Sequence, residues 1–404
     1  MRAGAPFPIL FFACAAHGMH HALVALYLTL VLVLSKDWGL GYADLISLWT
    51  LGSLLIGLGA PLAGWMGDRW GETRMLVVLF AGLGLSSALC GLAQGPLSLQ
   101  LALALLGLFG AIYHPVGVAW VVKHASARGR AVATAGIAGS IGVGFGPIIA
   151  AGLADLWGWR AAFILPGVAT MAFGAALIWF YATGRIVDRK DDAHAAATHH
   201  STAPMDIRRT FLVLAVTMTL TLVAYSAFST ALPKLVEQSL GAGWNGIFAV
   251  GLAAGLIQLF GASAQFVGGH FADKGATKRA YVLCFVLLAG IFSLAATANG
   301  WALVFAAMLT AFLFEGMAPL ETLLVARYAP QARRGLVFGL RYGLTLAGAP
   351  AGVWLVSRLY DPEAGFFLLL MVSAGLVAIC APIAIALPAD GKAAAASDGA
   401  YRGT

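Results

Sequence analysis

Three histidines stand close together in an apolar stretch near the N-terminus, AAHGMHHALVALYLTL, at positions 17, 20 and 21. His17 and His21 are four residues apart and share one face of a helix, and His20 lies on nearly the same side. Imidazole titrates near neutral pH when its surroundings do not perturb it, and its neutral form is a common metal ligand. The spacing predicts a site that binds protons or a metal ion. The alternative is that these histidines are neutral and hydrogen-bond neighbouring helices.

Two further ionisable groups, His114 in AIYHPVG and Glu315 in FLFEGMAPLE, also interrupt apolar runs. At a rise of 1.5 Å per residue each lies, like His17, roughly 14–18 Å from the nearer end of its run. That depth is near the middle of a hydrocarbon core about 30 Å thick. A charge there costs at least about 2.5–3.5 kcal/mol, so such groups mostly face a cavity and serve function. We therefore expect His17, His114 and Glu315 to face one wet cavity halfway through a membrane.

The apolar runs that carry these groups extend along the whole chain. Of 404 residues, 61% are hydrophobic and 10% are charged, whereas soluble domains carry about 25% charged residues. The composition excludes a sizeable soluble domain, and the first run is too long for a cleaved signal sequence. A membrane-spanning helix needs about 20 apolar residues, and the sequence divides into twelve such runs: 7–34, 44–66, 75–94, 97–122, 131–154, 161–182, 210–233, 246–270, 280–298, 301–325, 336–357 and 364–387.

The twelve runs fall into two groups of six. We assign residues 1–182 to a first six-helix bundle, 183–208 to a polar cytoplasmic linker, 209–387 to a second bundle and 388–404 to a disordered tail. Landmarks repeat between the groups at an offset of 204 or 205 residues, and GWMGDRWGETR and GGHFADKGATKR place Asp68 and Asp273 at equivalent positions. The sequence therefore predicts an all-α membrane protein of twelve helices in two pseudo-symmetric six-helix bundles.

Charge is distributed unevenly between alternate loops. Nineteen of the 24 Lys and Arg residues lie on one side, four lie on the other, and Arg341 lies inside a predicted helix. Basic loops are typically cytoplasmic, so we expect both termini and the linker in the cytoplasm, beneath a bacterial inner membrane. This loop pattern, and not nucleic-acid binding, accounts for the net charge of +7. The four cysteines lie in apolar runs without a CxxC pair, which predicts no disulfide.

The loop after the second run contains a group of small and charged residues: Gly64, Asp68, Arg69, Gly71 and Arg74. Together with the twelve helices and the duplication, this loop resembles the signature of the major facilitator superfamily of secondary transporters. The resemblance implies alternating access, with Asp68 holding the N-terminus of the eleventh helix in one conformation and Asp273 as its counterpart. Glu72 stands where the family pattern has a basic residue, which predicts a weaker gating contact.

The fifth run, GIAGSIGVGFGPIIAAG, places Gly142, Gly146 and Pro147 in an arrangement that resembles the antiporter motif of the same superfamily. Ala150 and Ala151 replace the usual final glycine pair of that motif. The resemblance implies export. Plain close packing of helices through small residues is equally compatible with the run.

The stretches HGMHH and YHPV resemble the histidine motifs of the fosmidomycin-resistance branch of the superfamily. His17, His114 and Pro115 match, whereas His21 and Val116 occupy positions that are acidic in that branch. Arg341 either faces an anionic substrate or pairs with Glu321 at the inner gate. We predict six substrate- or proton-binding residues: His17, His21, His114, Tyr225, Glu315 and Arg341.

These features predict proton-coupled export of a small organic compound by a monomer that needs no cofactor and is surrounded by lipid. The alternative is transport of a transition-metal ion, because His17, Met19, His20 and His21 supply ligands that suit copper, zinc or nickel. The enzyme patterns HExxH, GxSxG and the P-loop do not occur in the sequence. Catalysis is therefore not expected.

Overall fold

The computed structural model describes residues 7–125, 128–188, 204–240, 246–328 and 348–388. The elements in this part of the chain, in order, are α1 (Phe7–Trp38), α2 (Tyr42–Trp70), α3 (Glu72–Gly91), α4 (Pro96–Gly110), a π-helical segment (Tyr113–Gly117), α5 (Val118–His124), α6 (Arg128–Ala182), α7 (Pro204–Leu240), α8 (Ile247–Asp273), α9 (Thr277–Ala295), α10 (Gly300–Tyr328), α11 (Ala349–Leu359) and α12 (Phe367–Ile385). Helix α7 thus begins inside the stretch assigned to the linker. Residues 189–203 and 389–404, which carry most of the predicted linker and tail, lie outside the described residues.

Ten helical stretches of the described residues are long and apolar enough to cross a membrane. One of them, Arg130–Ala182, has 53 residues, and one crossing needs about 20, so α6 accounts for the fifth and sixth predicted spans. The chain reverses inside α6 at Gly158, whose φ of 84° lies in the left-handed region that favours glycine. We call the end of the bundle where this residue lies the Gly158 end. The eleventh predicted span is described only from residue 348 onward.

Helix α2 shows how the sequence divides lipid-facing from packed surfaces. Leu51, Leu54, Leu58, Leu62 and Trp65 recur at three- and four-residue intervals and are all exposed. A soluble protein would not expose a continuous apolar stripe of this length. The stripe therefore faces hydrocarbon, and the opposite, largely small-residue face of α2 packs on α4 and α11.

The π segment interrupts the fourth predicted span at the sequence YHPVG. Pro115 has no backbone N–H to donate to the preceding turn, and a wider π turn lets the helix continue past that missing bond. The N–H of Val116 still donates to the carbonyl of Ile112, at 3.1 Å. The change of register turns His114 toward α1, where its ring centroid lies 5.4 Å from that of His17.

Helix α6 packs closely on α1 and on α8 because glycines stand at both contacts. A Cβ atom at Gly142 would lie 2.1 Å from the carbonyl oxygen of Gly18 in α1. A Cβ atom at Gly255 in α8 would lie 2.4 Å from the carbonyl oxygen of Gly144. The fifth predicted span therefore joins its own bundle to the second bundle through backbone contacts.

The two bundles also touch at the Gly158 end. Lys36 at the end of α1 lies 3.7 Å from Glu237 of α7, measured from Nζ to Oε1. The ring of Tyr42 in α2 packs edge-on against Tyr360, which follows α11, at a centroid distance of 4.9 Å. Charged and aromatic contacts therefore close this end of the protein.

Candidate functional site

Two clusters of polar side chains lie inside the helix bundle. The first consists of His17, His20 and His21 from α1 and His114 from the π segment, and we call it the histidine cluster. One ring nitrogen from each of His17, His21 and His114 lies within 4.8 Å of the other two. The centroid of His20 is 5.7 Å from that of His114. The sequence placed these residues at one depth, and the structure brings their rings into contact.

Burial differs within the histidine cluster. His17, His21 and His114 are half-buried although they lie in the middle of their helices. His20 is only 2% exposed, and its Nδ1 has no hydrogen-bond partner among the described residues. The cluster therefore combines three half-buried histidines with one that is fully buried.

A backbone carbonyl orients the central ring of the cluster. Nδ1 of His17 lies 2.7 Å from the carbonyl oxygen of Ala135 in α6. Because a carbonyl oxygen only accepts, Nδ1 carries the hydrogen, and Nε2 of the neutral ring keeps a lone pair. That Nε2 lies 3.1 Å from Nε2 of His21, which donates to it. Two imidazoles thus share one hydrogen between nitrogens that both can bind a proton or a metal ion.

Small and aromatic residues make room for these rings. A Cβ atom at Gly139 of α6 would lie 2.5 Å from Cε1 of His17, and one at Gly110 of α4 would lie 2.8 Å from Cε1 of His20. Tyr113 stacks on His17 with a centroid distance of 4.2 Å and an interplanar angle of 16°. The missing side chains of these two glycines therefore leave the space that the rings of His17 and His20 fill.

The second cluster surrounds Glu315 of α10, and we call it the Glu315 cluster. Its Oε2 accepts hydrogen bonds from Gln265 Nε2 of α8 at 2.8 Å and from Ser140 Oγ of α6 at 3.0 Å. Its Oε1 accepts one from the Tyr225 hydroxyl of α7 at 3.2 Å. Gln265 Nε2 also lies 2.8 Å from Ser140 Oγ. Three donors thus converge on one carboxylate, and Ser140 is the donor that comes from the other bundle.

The two clusters contact adjacent residues in the same turn of α6. Gly139 packs against His17, and the next residue, Ser140, bonds Glu315. The three hydrogen-bond donors to Glu315 lie on α6, α7 and α8, while the imidazole contacts come from α1, the π segment and α6. That both clusters open into one cavity stays a prediction.

The predicted gating residues lie at the opposite end from Gly158, which we call the Gly71 end. Asp68 and Arg74 are exposed, and the Arg69 guanidinium stacks 4.5 Å from the Trp65 ring centroid. Gly71 has a φ of 93°, which suits the tight turn between α2 and α3. Gly64 approaches the π segment, since a Cβ there would lie 3.4 Å from Cβ of Pro115.

Other predicted contacts at the Gly71 end fall on residues that the structure does not describe. Asp273 ends α8, and its side chain is outside the described set, as are Arg341 and the N-terminal part of the eleventh predicted span. Glu72, which the sequence suggested would weaken the gate, forms an ion pair with Lys123 of α5 at 3.0 Å. The residue that departs from the family pattern therefore has an ionic partner within the first bundle.

Sequence reasoning missed Ser140. It is the one hydroxyl in the glycine-rich stretch GIAGSIGVGFGP, and that isolation is the signal that could have identified it. Gly142 and Gly146 of the same stretch do pack helices, as a Cβ at Gly146 would lie 2.8 Å from the carbonyl oxygen of Ala22 in α1.

Comparison with known sequences identifies related proteins. The family profile described as Major Facilitator Superfamily matches residues 9–300 and 247–400. The chain is 26% identical to the Tetracycline resistance protein, class B, of Escherichia coli over 81% of each chain. It is also 26% identical to Multidrug resistance protein MdtG of Proteus mirabilis over 85% of this chain and 86% of that one.

A further relative matches only in part. The chain is 30% identical to the Multidrug resistance protein B homolog of Mycobacterium tuberculosis over 31% of its own length, and the match spans 24% of that relative. Among solved structures, a bacterial homologue of the human lysosomal transporter Spinster, in an inward-facing and occupied conformation, superposes with a TM-score of 0.70 at 12% identity, covering 98% of this chain and 97% of that one. The predicted all-α membrane fold of two six-helix bundles is confirmed by this match.

Proposed function

Because this chain belongs to the Major Facilitator Superfamily, a family of transporters and not of enzymes, we propose that it exports a small organic compound in exchange for protons. The predicted membership of this superfamily is thereby confirmed. The observation that carries the proposal is the Glu315 cluster, in which a carboxylate halfway along α10 accepts a hydrogen bond from the other bundle. Ionisable groups inside the membrane mark proton relays and substrate paths.

Protonation of Glu315 changes what holds the bundles together. The ionised carboxylate accepts from Ser140, Gln265 and Tyr225 at once. A protonated carboxyl has a hydrogen of its own and loses acceptor capacity, and hydrogen bonds to a charged acceptor are the stronger kind. Proton binding therefore weakens the bond from Ser140 to Glu315 and lets one bundle rock against the other. Release of the proton restores the bond.

The surroundings of Glu315 favour a compound with a flat apolar part. Tyr225 packs edge-on against Phe314 with a centroid distance of 5.2 Å, next to the carboxylate that its hydroxyl contacts. Aromatic faces and a carboxylate together suit a polycyclic or cationic molecule. Relatives named for resistance to tetracycline and to multiple drugs support an exporter of such compounds.

Several finer assignments belong to the same proposal. The Gly71 end faces the cytoplasm of a bacterial inner membrane, as do both termini, because the basic loops lie there. The bundles are 1–182 and 209–387, joined by 183–208, and α7 of the second bundle already begins at Pro204. Asp68 holds the eleventh helix when the Gly71 end is closed. His17, His114 and Pro115 support a place near the fosmidomycin-resistance branch.

The test is transport by purified full-length protein in proteoliposomes under an imposed pH gradient, with tetracycline and ethidium as probes. We expect probe movement that follows the gradient and is lost in Glu315→Gln, which keeps the size of the side chain and removes its ionisation. Glu363→Gln is the matched control, because Glu363 is exposed in the loop after α11. Transport that ignores the gradient, or that survives Glu315→Gln unchanged, would contradict the proposal.

A further inference from the structure

We infer that His17, His21 and His114 bind one divalent first-row transition-metal ion, such as zinc, cobalt or nickel, inside the first helix bundle. The three rings come from two neighbouring elements, α1 and the π segment, and offer one nitrogen each within 4.8 Å of the others. Three imidazoles with an open fourth position are a known arrangement for zinc. The inference goes beyond the proposed exchange of protons for a compound and does not depend on it.

The orientation of His17 is what a metal ligand needs. Metal-binding histidines almost always donate their second ring N–H to a carboxylate, a backbone carbonyl or water, which fixes the tautomer. Here Nδ1 of His17 donates to the carbonyl of Ala135 at 2.7 Å, so Nε2 presents its lone pair. The backbone of α6 therefore prepares this ring for an ion before any ion arrives.

The spacing of the nitrogens is close to that of a tetrahedral site. Metal–nitrogen distances of about 2.0–2.1 Å at a tetrahedral angle separate two ligand nitrogens by roughly 3.4 Å. Nε2 of His17 and Nε2 of His21 are 3.1 Å apart. A small rotation of the His21 ring brings the pair to that separation. The metal takes the place of the hydrogen between the two nitrogens, and that hydrogen moves to Nδ1 of His21, so the ring stays neutral. His114 completes the set by moving its ring toward them.

The ligand chemistry selects the class of ion. Imidazole nitrogens suit zinc, copper, cobalt and nickel, whereas magnesium and calcium require oxygen ligands. Three neutral imidazoles leave the ion with two positive charges. A small anion or hydroxide is therefore the expected fourth ligand. His20 packs behind this group, with its ring centroid 4.8 Å from that of His21.

The ligands place the ion within one bundle. α1 and the π segment both belong to the first six-helix bundle, and Ala135, which orients His17, lies in the fifth span of the same bundle. Rocking of the bundles leaves this set of ligands together. We therefore assign the ion as a resident that ties α1 to the fourth span.

The experiment uses the full-length chain in detergent, with His194, His199 and His200 replaced by alanine so that the linker offers no competing imidazoles. Cobalt(II) is the probe, because its visible absorption reports tetrahedral nitrogen coordination, and zinc then competes for the same site. We expect one cobalt ion per chain. We expect at least about tenfold weaker binding in each of His17→Gln, His21→Gln and His114→Gln. His270→Gln is the matched control, because His270 is exposed on α8.

Each outcome bears on the inference. Thermal melting of the metal-free variants shows whether they are folded. If a variant is unfolded, the number of cobalt ions bound per chain by the protein with all three cluster histidines still tests the site. Failure to bind one equivalent, or binding that all three substitutions leave intact, would overturn the site. Glu315→Gln is expected to retain cobalt binding while it loses gradient-driven transport, so failure of this inference and failure of the proposed function give different results.

Discussion

The histidine cluster and the Glu315 cluster contact adjacent residues in one turn of α6, yet they join different parts of the molecule. The contacts of the histidine cluster run between α1, the π segment and α6, all within the first bundle. The Glu315 cluster joins α10, α8 and α7 of the second bundle to α6 of the first. Alternating access rocks one bundle against the other. We therefore expect the first cluster to persist through the cycle and the second to break and re-form.

The glycine contacts of α6 repeat this contrast. Gly142 meets the backbone of α1 within the first bundle, and Gly144 meets Gly255 of α8 across the two bundles. Contacts within a bundle contribute to folding in every conformation. Contacts between bundles contribute only while the two faces are together. Substitutions at the contact of α6 with α1 and at its contact with α8 should therefore separate effects on folding from effects on transport.

The largest effect is expected from Gly142→Val. A Cβ there would lie 2.1 Å from the carbonyl oxygen of Gly18 and 2.8 Å from its Cα, and backbone atoms cannot move aside without shifting a helix. We expect the free energy of unfolding to fall by about 3 kcal/mol or more, the upper range for overpacking. Thermal melting and size-exclusion profiles in detergent measure it.

Gly290→Val in α9 is the matched control, since a Cβ at Gly290 meets nothing within 4 Å. Equal melting temperatures of the two variants would show that the contact between α1 and α6 does not support the fold.

Gly255→Val should instead leave folding largely intact and slow transport, because its clash with the carbonyl oxygen of Gly144 exists only while α6 and α8 are packed.

A smaller effect is expected from Ser140→Ala. The variant removes the donor that joins α6 to Glu315, and a hydrogen bond to a charged group contributes about 1.5–3 kcal/mol. We expect gradient-driven transport to fall by about tenfold, the equivalent of roughly 1.4 kcal/mol at the low end of that range. Cobalt binding should not change. Ser263→Ala, at an exposed serine of α8 that bonds only its own helix, is the control; wild-type rates in Ser140→Ala would refute the coupling role.

The sequence alone was enough for the fold, and it placed the ionisable groups in the middle of their helices. Apolar runs near 20 residues report membrane crossings directly, and counting residues gives depth, because a helix rises uniformly. His17, His21 and His114 were therefore grouped correctly. The resemblance to the superfamily came from the twelve runs, the internal duplication and one loop, in which Gly71 has a positive φ.

The direction in which side chains point was less predictable. Ser140 and Glu315 are 175 residues apart in different bundles, and depth says nothing about which side of a helix faces which neighbour. The π segment adds a register change that hydropathy does not report, although Pro115 marks its position. Glu72 was judged by a family pattern, whereas its partner Lys123 becomes visible only when α5 packs beside α3.

Gly139→Ala sharpens the comparison of the two clusters. Its Cβ would lie 2.5 Å from Cε1 of His17, so the imidazole, which is more mobile than backbone, must rotate away. Overpacking of about 1 kcal/mol, the low end of its usual range, predicts roughly fivefold weaker cobalt binding with transport through Glu315 unchanged. Gly136→Ala, one turn earlier on α6 with nothing within 4 Å of its Cβ, is the control. A loss of transport without a loss of cobalt binding would reverse the assignment of the two clusters.

The smallest effects are expected from the ion pairs at the two ends. Lys123 and Glu72, with side chains 19% and 11% exposed, form a 3.0 Å pair at the Gly71 end, whereas Lys36, 81% exposed, is 3.7 Å from Glu237 at the Gly158 end. Exposed pairs contribute about 0–1 kcal/mol, because water and salt screen them. Glu72→Gln is therefore expected to lower the free energy of unfolding by about 1 kcal/mol, and Lys36→Gln by less than that, as measured by melting at low and high salt. If Lys36→Gln proves the more destabilising of the two, the closed Gly158 end depends on charge rather than on the packing of Tyr42 against Tyr360.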